Sequence, residues 1–314
     1  MQIASYQFTC RFDSKAILPA FKGSTLRGGL GHALKRIACA LRQQDCQSCL
    51  LHQTCAYSFL FEEKKNTPPS SDTDKIRRAD RPHPYILVPP DENSRAYEKG
   101  TPFSFGVTLL GPAIQFLPHM VFAVQEMGKA GLGKHAQEGN GQLHLETVSQ
   151  NGRMIYDGRA LDTSIPPDEL TLPAAPSGMI KRIILSCHTP LRLKLDNELQ
   201  NKLPFHLLIR AALRRISALD SAYGSGEPAL DYKGLVARAS AVAVTKSSCR
   251  WTEIERYSNR QKRAMLMGGI IGSITYEGDD LAAFVPLLRY CEVVHLGKET
   301  SFGLGRISIE AKGE

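Results

Sequence analysis

Val293-Val294-His295-Leu296-Gly297-Lys298-Glu299-Thr300-Ser301-Phe302-Gly303-Leu304-Gly305-Arg306-Ile307 sets three glycines and a lysine between a helix-like segment, Asp280 to about Cys291, and an alternating strand, Arg306 to Glu310. A loop of this composition can turn through positive φ and bring bare backbone N–H groups against an anion. Glycine turns are common, but this chain holds two of them in one setting. Leu132-Gly133-Lys134 opens an earlier stretch, and Gly139, Gly141 and the alternating Gln142-Leu143-His144-Leu145-Glu146 follow at the same offsets. Each copy comes after a helix-like segment with an internal proline, Phe116-Leu117-Pro118 and Phe284-Val285-Pro286. The chain reads as two halves built to one plan.

Working outward, the halves keep the same order of elements. In the first, Gln2 to Phe12 alternates as a strand, and Ser24 is the expected N-cap of a helix from about Thr25 to Leu41. Leu26, Leu30, Ala33, Leu34, Ile37 and Leu41 recur at helical spacing and should face a core; His32, Lys35, Arg36 and Cys39 fall on another face. Strands at Tyr85–Val88 and Phe103–Leu110, a helix from Pro112 to about Met127, and the strand Gln142–Val148 complete it. In the second half, Ile183–Leu193 reads as strand and Pro204–Leu219 as helix. Two strands, Ala237–Thr245 and Met265–Tyr276, follow with a further hairpin arm at Arg250–Tyr257. Even the first helices correspond, Leu26-Arg27-Gly28-Gly29-Leu30 against Ile209-Arg210-Ala211-Ala212-Leu213. A βαββαβ pattern occurring twice predicts an α+β protein of two tandem ferredoxin-like, RRM-like domains. The expected boundaries are 1–150, with a cysteine-rich insertion at 39–61, a linker at 151–179, and 180–314, with the glycine loop at 297–305.

A chain of 314 residues, 42% hydrophobic, has room for two ordinary cores. Its longest apolar run, Met265 to Ile274, is too short to cross a bilayer, and no basic-then-apolar signal opens the chain, so the expected place is the cytoplasm, with no membrane partner. A net charge of +8 suits a polyanionic partner, nucleic acid ahead of membrane, or serves solubility alone.

With these motifs in hand a resemblance emerges. Gly297-Lys298-x4-Phe302-Gly303-Leu304-Gly305-Arg306 is similar to the signature of the CRISPR-associated RAMP superfamily. Arg256-Tyr257-Ser258-x-Arg260-Gln261-x-Arg263, Met267-Gly268-Gly269 and Thr275-Tyr276-Glu277-Gly278 resemble its branch that processes precursor CRISPR RNA. Gly23-Ser24-x-Leu26-Arg27-Gly28-Gly29-Leu30-Gly31 and the cysteine group ending Cys55-Ala56-Tyr57 match that branch as well. The resemblance implies a metal-independent endoribonuclease that cuts within the CRISPR repeat, leaving a 5′-hydroxyl and a 2′,3′-cyclic or 3′ phosphate. It also leaves open a homodimer and membership of an effector complex. Two other readings stand beside it: a non-catalytic RAMP subunit that binds guide RNA, and a zinc-stabilised scaffold for protein partners.

Such a reaction needs a base for the ribose 2′-hydroxyl, an acid for the departing 5′-oxygen, and cations for the charged phosphorane. Histidine titrates near neutrality and serves either role. His32 is the first candidate, on the non-core face of its helix beside Lys35 and Arg36 and near Arg27; the family's active histidine commonly sits in or just after this helix. The bland reading is a solvated surface histidine. His295, adjoining the glycine loop, is the rival, though its alternating context also suits a structural role. The expected RNA contacts are Arg27, Lys35, Arg256, Arg260, Lys262, Arg263, Gly297, Lys298, Gly303 and Gly305, with a solvated basic face and plain tight turns as their alternatives. The loop leads into a strand rather than a helix, so it is not a Walker loop.

Cys39-x6-Cys46-x2-Cys49-x5-Cys55 groups four thiols, enough for a closed tetrahedral zinc site without catalytic role, or else free thiols. Catalysis itself calls for no cofactor. His52 and Tyr57 lie in the same segment, where packing is their default.

Overall fold

A computed structural model describes residues 1–41, 45–46, 48–62, 81–195, 198–258 and 263–313. They form two units, Met1–Glu169 and Leu170–Glu314. In the first, the order is β1 (Gln2–Phe12), β2 (Ala16–Ile17), α1 (Gly23–Ala38), α2 (Ala56–Phe61), β3 (Tyr85–Val88), β4 (Ala96–Tyr97), β5 (Pro102–Leu110), α3 (Leu117–Ala130), β6 (Leu143–Gln150), β7 (Arg153–Tyr156) and β8 (Asp168–Glu169). The strands pair antiparallel in the order β3-β5-β1-β6-β7, with β8 also on β1. Alternation sorts the faces. Tyr6, Phe8, Cys10 and Phe12 of β1 and Phe103, Phe105, Val107 and Leu109 of β5 are buried with Leu26, Leu30 and Leu34 of α1 and Met120, Val124 and Met127 of α3. Each such side chain contributes roughly 1.5–3 kcal/mol when fully buried.

The second unit repeats this frame. Its order is β9 (Arg182–Leu191), β10 (Lys194–Leu195), β11 (Glu198–Leu199), α4 (Phe205–Tyr223), α5 (Tyr232–Ala239), β12 (Ala243–Ser247), β13 (Arg250–Thr252), β14 (Glu255–Ser258), β15 (Arg263–Leu266), β16 (Gly269–Glu277), α6 (Val285–Val294) and β17 (Ile307–Lys312). The sheet runs β12-β16-β9-β17, and β14 and β15 form a separate hairpin. In chain order within each unit, both sheets are arranged second-third-first-fourth around the first strand, the ferredoxin-like topology. On the open faces Ser5 meets Thr108 (2.9 Å), Arg11 meets Glu146, Ser186 meets Ser273 (3.0 Å) and Arg182 meets Glu277 (2.6 Å), with the exposed rings of His144 and His188 nearby.

Several expectations shift on contact with the structure. Most of the stretch expected as a linker belongs to the first unit: β7 pairs with β6, β8 with β1, and the units meet at Glu169/Leu170. The expected strand from Ala237 begins later, at Ala243. Before it comes α5, started by the Asp231 carboxylate accepting from Gly234 N–H at 2.9 Å and buried through Leu235 and Ala239, four residues apart. Helix α1 starts at Gly23 rather than after a Ser24 cap. Its preceding residue, Lys22, is 1% exposed and donates its ammonium to the carbonyls of Ala20, Glu92 and Ser94 at 3.1, 2.7 and 2.7 Å. The prolines taken as internal sit in the first turn of α3 and of α6, each after a 3₁₀ turn, where a missing N–H costs nothing.

The two glycine loops are copies at the level of single hydrogen bonds. In the first, Leu132 N–H donates to Gly141 O (2.8 Å), Gly141 N–H to Lys15 O (2.8 Å) and Lys134 N–H to Ile17 O (3.0 Å). In the second, Leu296 N–H donates to Gly305 O (2.8 Å), Gly305 N–H to Pro190 O (3.1 Å) and Lys298 N–H to Arg192 O (2.9 Å). The φ angles agree as closely: 60° and 64° at His135 and Glu299, 86° and 87° at Gly139 and Gly303, 70° and 72° at Gly141 and Gly305. Each loop therefore hooks onto the chain at or just beyond the end of its unit's first strand. A Cβ on Gly141 or Gly305 would run into the carbonyl of Leu132 or Leu296, whereas one on Gly139 would meet nothing within 4 Å.

A paired substitution tests this. Gly139→Ala should cost only the positive-φ penalty, about 1–2 kcal/mol, while Gly141→Ala adds a backbone collision and should cost clearly more. Chemical denaturation of the two variants decides it; equal losses would show that the close approach is not what selects glycine at 141.

Candidate active site

Helix α1 is divided among its neighbours by its own spacing. Leu26, Leu30 and Leu34 lie buried in the core. One flank admits α3, because Gly29 leaves room for Met127 and Leu132; the other admits α2, because Gly31 leaves room for Phe61. Gly28 has open space at its Cβ position, and His32, one turn on, is exposed between the flanks.

The cations of α1 meet different partners on the two flanks. Arg36 is paired with Glu126 of α3 at 2.9 Å, and Lys129 meets the same carboxylate at 2.8 Å; these contacts, Lys129 first, hold the Glu126 carboxyl below its usual range. Toward α2, Tyr57 and Phe61 stack with centroids 5.8 Å apart and planes 2° from parallel. Lys35 Nζ lies 5.3 Å from the Tyr57 ring and Arg27 Cζ 5.6 Å from the Phe61 ring. Each such contact contributes about 0.5–1 kcal/mol at an exposed site, enough to favour one rotamer, without cancelling the charge as a carboxylate would. Arg27 Nη2 also lies 3.3 Å from Nε2 of His83, whose Nδ1 is 3.1 Å from the Leu60 carbonyl. His32, Arg27 and Lys35 thus share one helix, with both cations laid over rings.

In the second glycine loop the N–H groups of Lys298, Phe302, Gly303, Leu304 and Gly305 all donate to carbonyls of the protein, and Gly303 and Gly305 are buried. Thr189 adds its hydroxyl, donating to Gly303 O at 2.8 Å and accepting from Arg306 N–H at 2.9 Å. The exposed side chains here are those of Lys298 and Glu299. His295 is 2% exposed and donates from Nδ1 to Leu304 O at 3.2 Å. Burial, chiefly, pulls its pKa down to about 3, with Arg215 and Arg306 pushing the same way and the Leu304 bond opposing. A neutral histidine sealed in this way holds the loop and has no opening toward a substrate hydroxyl. Arg215 of α4 secures the other side, reaching Val294 O (2.8 Å), His295 O (3.3 Å) and Thr300 Oγ1 (3.1 Å). Burial draws its pKa down to about 10, which leaves it charged at neutrality, where it offsets the carbonyl end of α6.

Residues 185–307, which hold this loop, match the family model of the CRISPR-associated endoribonuclease Cas6, and residues 1–169 match a model described as an N-terminal domain, AF_1859_N. The Cas6 match thus covers most of the second unit. An uncharacterized protein of Archaeoglobus fulgidus is 25% identical over 299 residues, 94% of this chain and 93% of the relative. Among solved structures, Thermus thermophilus Cas6 (TTHB231) aligns at 12% identity and TM-score 0.57, over 98% of each chain. A partial Cas6-RT-Cas1–Cas2 complex aligns at 13% and 0.59, covering 99% of this chain and 46% of that one. This chain thus spans just under half the length of that protein, and these likenesses show the fold.

The other expected residues fall as follows. Arg256 packs its guanidinium 4.7 Å from the Phe302 ring, joining the β14–β15 hairpin to the glycine loop. Arg260 and Lys262 lie outside the described residues, and Arg263 opens β15. Cys39, Cys46, Cys49 and Cys55 are part-buried free thiols. Burial first, then Glu62, pushes the Cys46 thiol up. Among the described residues no group of three or more His, Cys, Asp or Glu side chains is arranged to hold a metal. His52 is local, with its Nδ1 2.7 Å from Cys46 O and 2.8 Å from Ser58 Oγ. No helix is long and apolar enough to cross a membrane. His83, Arg215 and the ring pair were not singled out as site residues. The signal for the rings was present, since Tyr57 and Phe61 are four apart, as are Arg27, Gly31 and Lys35 in turn.

The depressed His295 pKa sets a pH dependence. The folded state excludes a proton that the unfolded chain accepts at its ordinary histidine value, so stability should fall as pH drops from about 6.5 toward about 3, with a slope approaching ~1.4 kcal/mol per pH unit from this group. Urea unfolding between pH 7 and 4.5 should show that component removed in His295→Gln. An unchanged slope would mean that His295 is accessible to protons in the folded state.

Proposed function

We propose that this chain cleaves CRISPR repeat RNA by attack of a ribose 2′-hydroxyl on the adjacent phosphate, leaving a 5′-hydroxyl and a 2′,3′-cyclic or 3′ phosphate. The observation that carries the reading is the exposed His32 on the same helix as Arg27 and Lys35, two cations held over the rings of α2. His32 takes the proton from the 2′-hydroxyl or returns one to the departing 5′-oxygen, roles that an imidazole can fill. Arg27 and Lys35 meet the charge that develops on the phosphate. No step calls for a metal. Lys298 and the basic β14–β15 hairpin, including Arg256, Arg260, Lys262 and Arg263, supply phosphate contacts in the second unit. Gly297, Gly303 and Gly305 serve by shaping the loop that carries Lys298. The reading is supported by the match of residues 185–307 to the Cas6 family model, whose description names an endoribonuclease.

His32→Ala should bind repeat RNA with nearly native affinity and cleave it ~10²–10⁴-fold more slowly. Wild-type protein in EDTA should cut the same RNA and leave intact a substrate with a 2′-deoxy sugar at the cut site. Gel mapping of the ends, with binding measured in parallel, checks all three. Cleavage by His32→Ala at the native rate would remove His32 from the chemistry. Cutting of the deoxy substrate would remove internal attack, and native binding without cleavage by the wild type would favour a guide-RNA-binding subunit.

A further inference from the structure

We infer that Lys134 makes a phosphate contact in the first unit equivalent to the one given above to Lys298 in the second, so that each unit holds RNA backbone through its own glycine loop; the inference rests on that reading of Lys298. Laid over one another, the loops are identical at 132 and 296, 133 and 297, 134 and 298, 139 and 303, and 141 and 305: leucine, glycine, lysine, glycine and glycine. The positions between them differ, from His135 against Glu299 to Asn140 against Leu304. Folding accounts for all but one of the identities. Leu132 and Leu296 are buried. Gly133 and Gly297 both sit at φ 88°, where a Cβ would run into Ile17 O and Arg192 O, and the other two glycine pairs hold the positive φ angles given above. The lysine is the exception. Its N–H is used by the fold, but any residue except proline supplies an N–H. The side chains of Lys134 and Lys298 are both exposed, and among the described residues neither ammonium has a hydrogen bond or ion pair.

The hook fixes where each lysine starts. Lys134 N–H bonds Ile17 O at 3.0 Å and Lys298 N–H bonds Arg192 O at 2.9 Å, so the two Cα atoms stand at the same point beyond the first strand of their frames. A flexible stem on a rigid base keeps a compact, hydrated point charge within a small volume of solvent. The carboxylates beside the first loop are engaged elsewhere. Glu138 lies 3.0 Å from His135 Nδ1, and Glu98 lies 3.5 Å from Lys15, whose carbonyl receives the Gly141 N–H. Lys134 is thus the cation of this loop that the fold leaves to a ligand. A contact from such an ammonium to RNA phosphate adds affinity that salt weakens, and it positions the chain without reading its sequence.

The test measures affinity against salt for the wild type, Lys134→Ala, Lys134→Arg and Lys298→Ala, using repeat RNA and a scrambled RNA of the same length. Lys99→Ala, at an exposed turn lysine of the same unit, controls for the loss of any surface charge. In Lys134→Ala the slope of log affinity against log salt should shrink by ~0.7–0.9 on both RNAs, at near-native unfolding temperature. Lys134→Arg should keep the wild-type slope, because the charge remains. A slope unchanged in Lys134→Ala, or reduced no more than in Lys99→Ala, would overturn the inference. A loss confined to the repeat RNA would assign Lys134 to a base edge and overturn the phosphate contact. A reduced slope in Lys134→Ala beside a native one in Lys298→Ala would fault the reading of Lys298 and leave the contact at Lys134 standing. Affinity that depends on Lys134 in a protein that cuts neither RNA would fault the proposed cleavage alone.

Discussion

Each unit of this protein depends on a glycine whose amide and carbonyl are both engaged by its own chain. In the second unit Gly305 donates to Pro190 O and accepts from Leu296 N–H; in the first, Gly141 donates to Lys15 O and accepts from Leu132 N–H. These bonds bring the fourth strand of the frame back beside the first. They require backbone atoms to approach more closely than any Cβ permits, with φ near 70°. The loop is therefore selected for closing the fold. In the second unit the N–H groups of Lys298, Phe302, Gly303, Leu304 and Gly305 are all engaged within the protein.

The two copies have diverged around a common backbone. The first loop is polar and open, with His135 and Glu138 paired at 3.0 Å on its surface. The second is sunk into its unit, with Thr300, Ser301 and Phe302 buried, His295 sealed beneath it and Arg215 bracing the end of α6. Burying a histidine and an arginine is costly unless each is hydrogen-bonded, and here each is. The result is a stiff platform from which Lys298 projects and against which Arg256 packs.

Helix α1 sets its cations against different surfaces on its two flanks. Gly31 lets Phe61 approach, and the stacked rings of α2 give Lys35 and Arg27 a surface to lie over. Arg36, on the other flank, is paired to Glu126 and serves packing. Adjacent cations on one helix are thus divided between structure and display by the glycine and carboxylate that face them.

The repeated βαββαβ frame, the buried stripe of α1 through Leu26, Leu30, Ala33 and Leu34, and the exposed face bearing His32 were legible in the sequence, because alternation and helical spacing are local properties that burial enforces residue by residue; Leu41, expected to close that stripe, lies beyond the end of the helix at Ala38 and is exposed. The existence of two matched glycine loops was legible for the same reason. What those loops do was not, since it depends on carbonyls at Lys15, Ile17, Pro190 and Arg192, far away along the chain. His295 looked like a rival to His32 because a sequence shows its neighbours and not the Leu304 carbonyl or the depth of burial. The same limit hid His83, separated from Arg27 by 56 residues. Periodicity determined which faces turn inward; only tertiary contact decided which charged groups are held, sealed or displayed, because hydrogen bonding and desolvation act across space rather than along the chain.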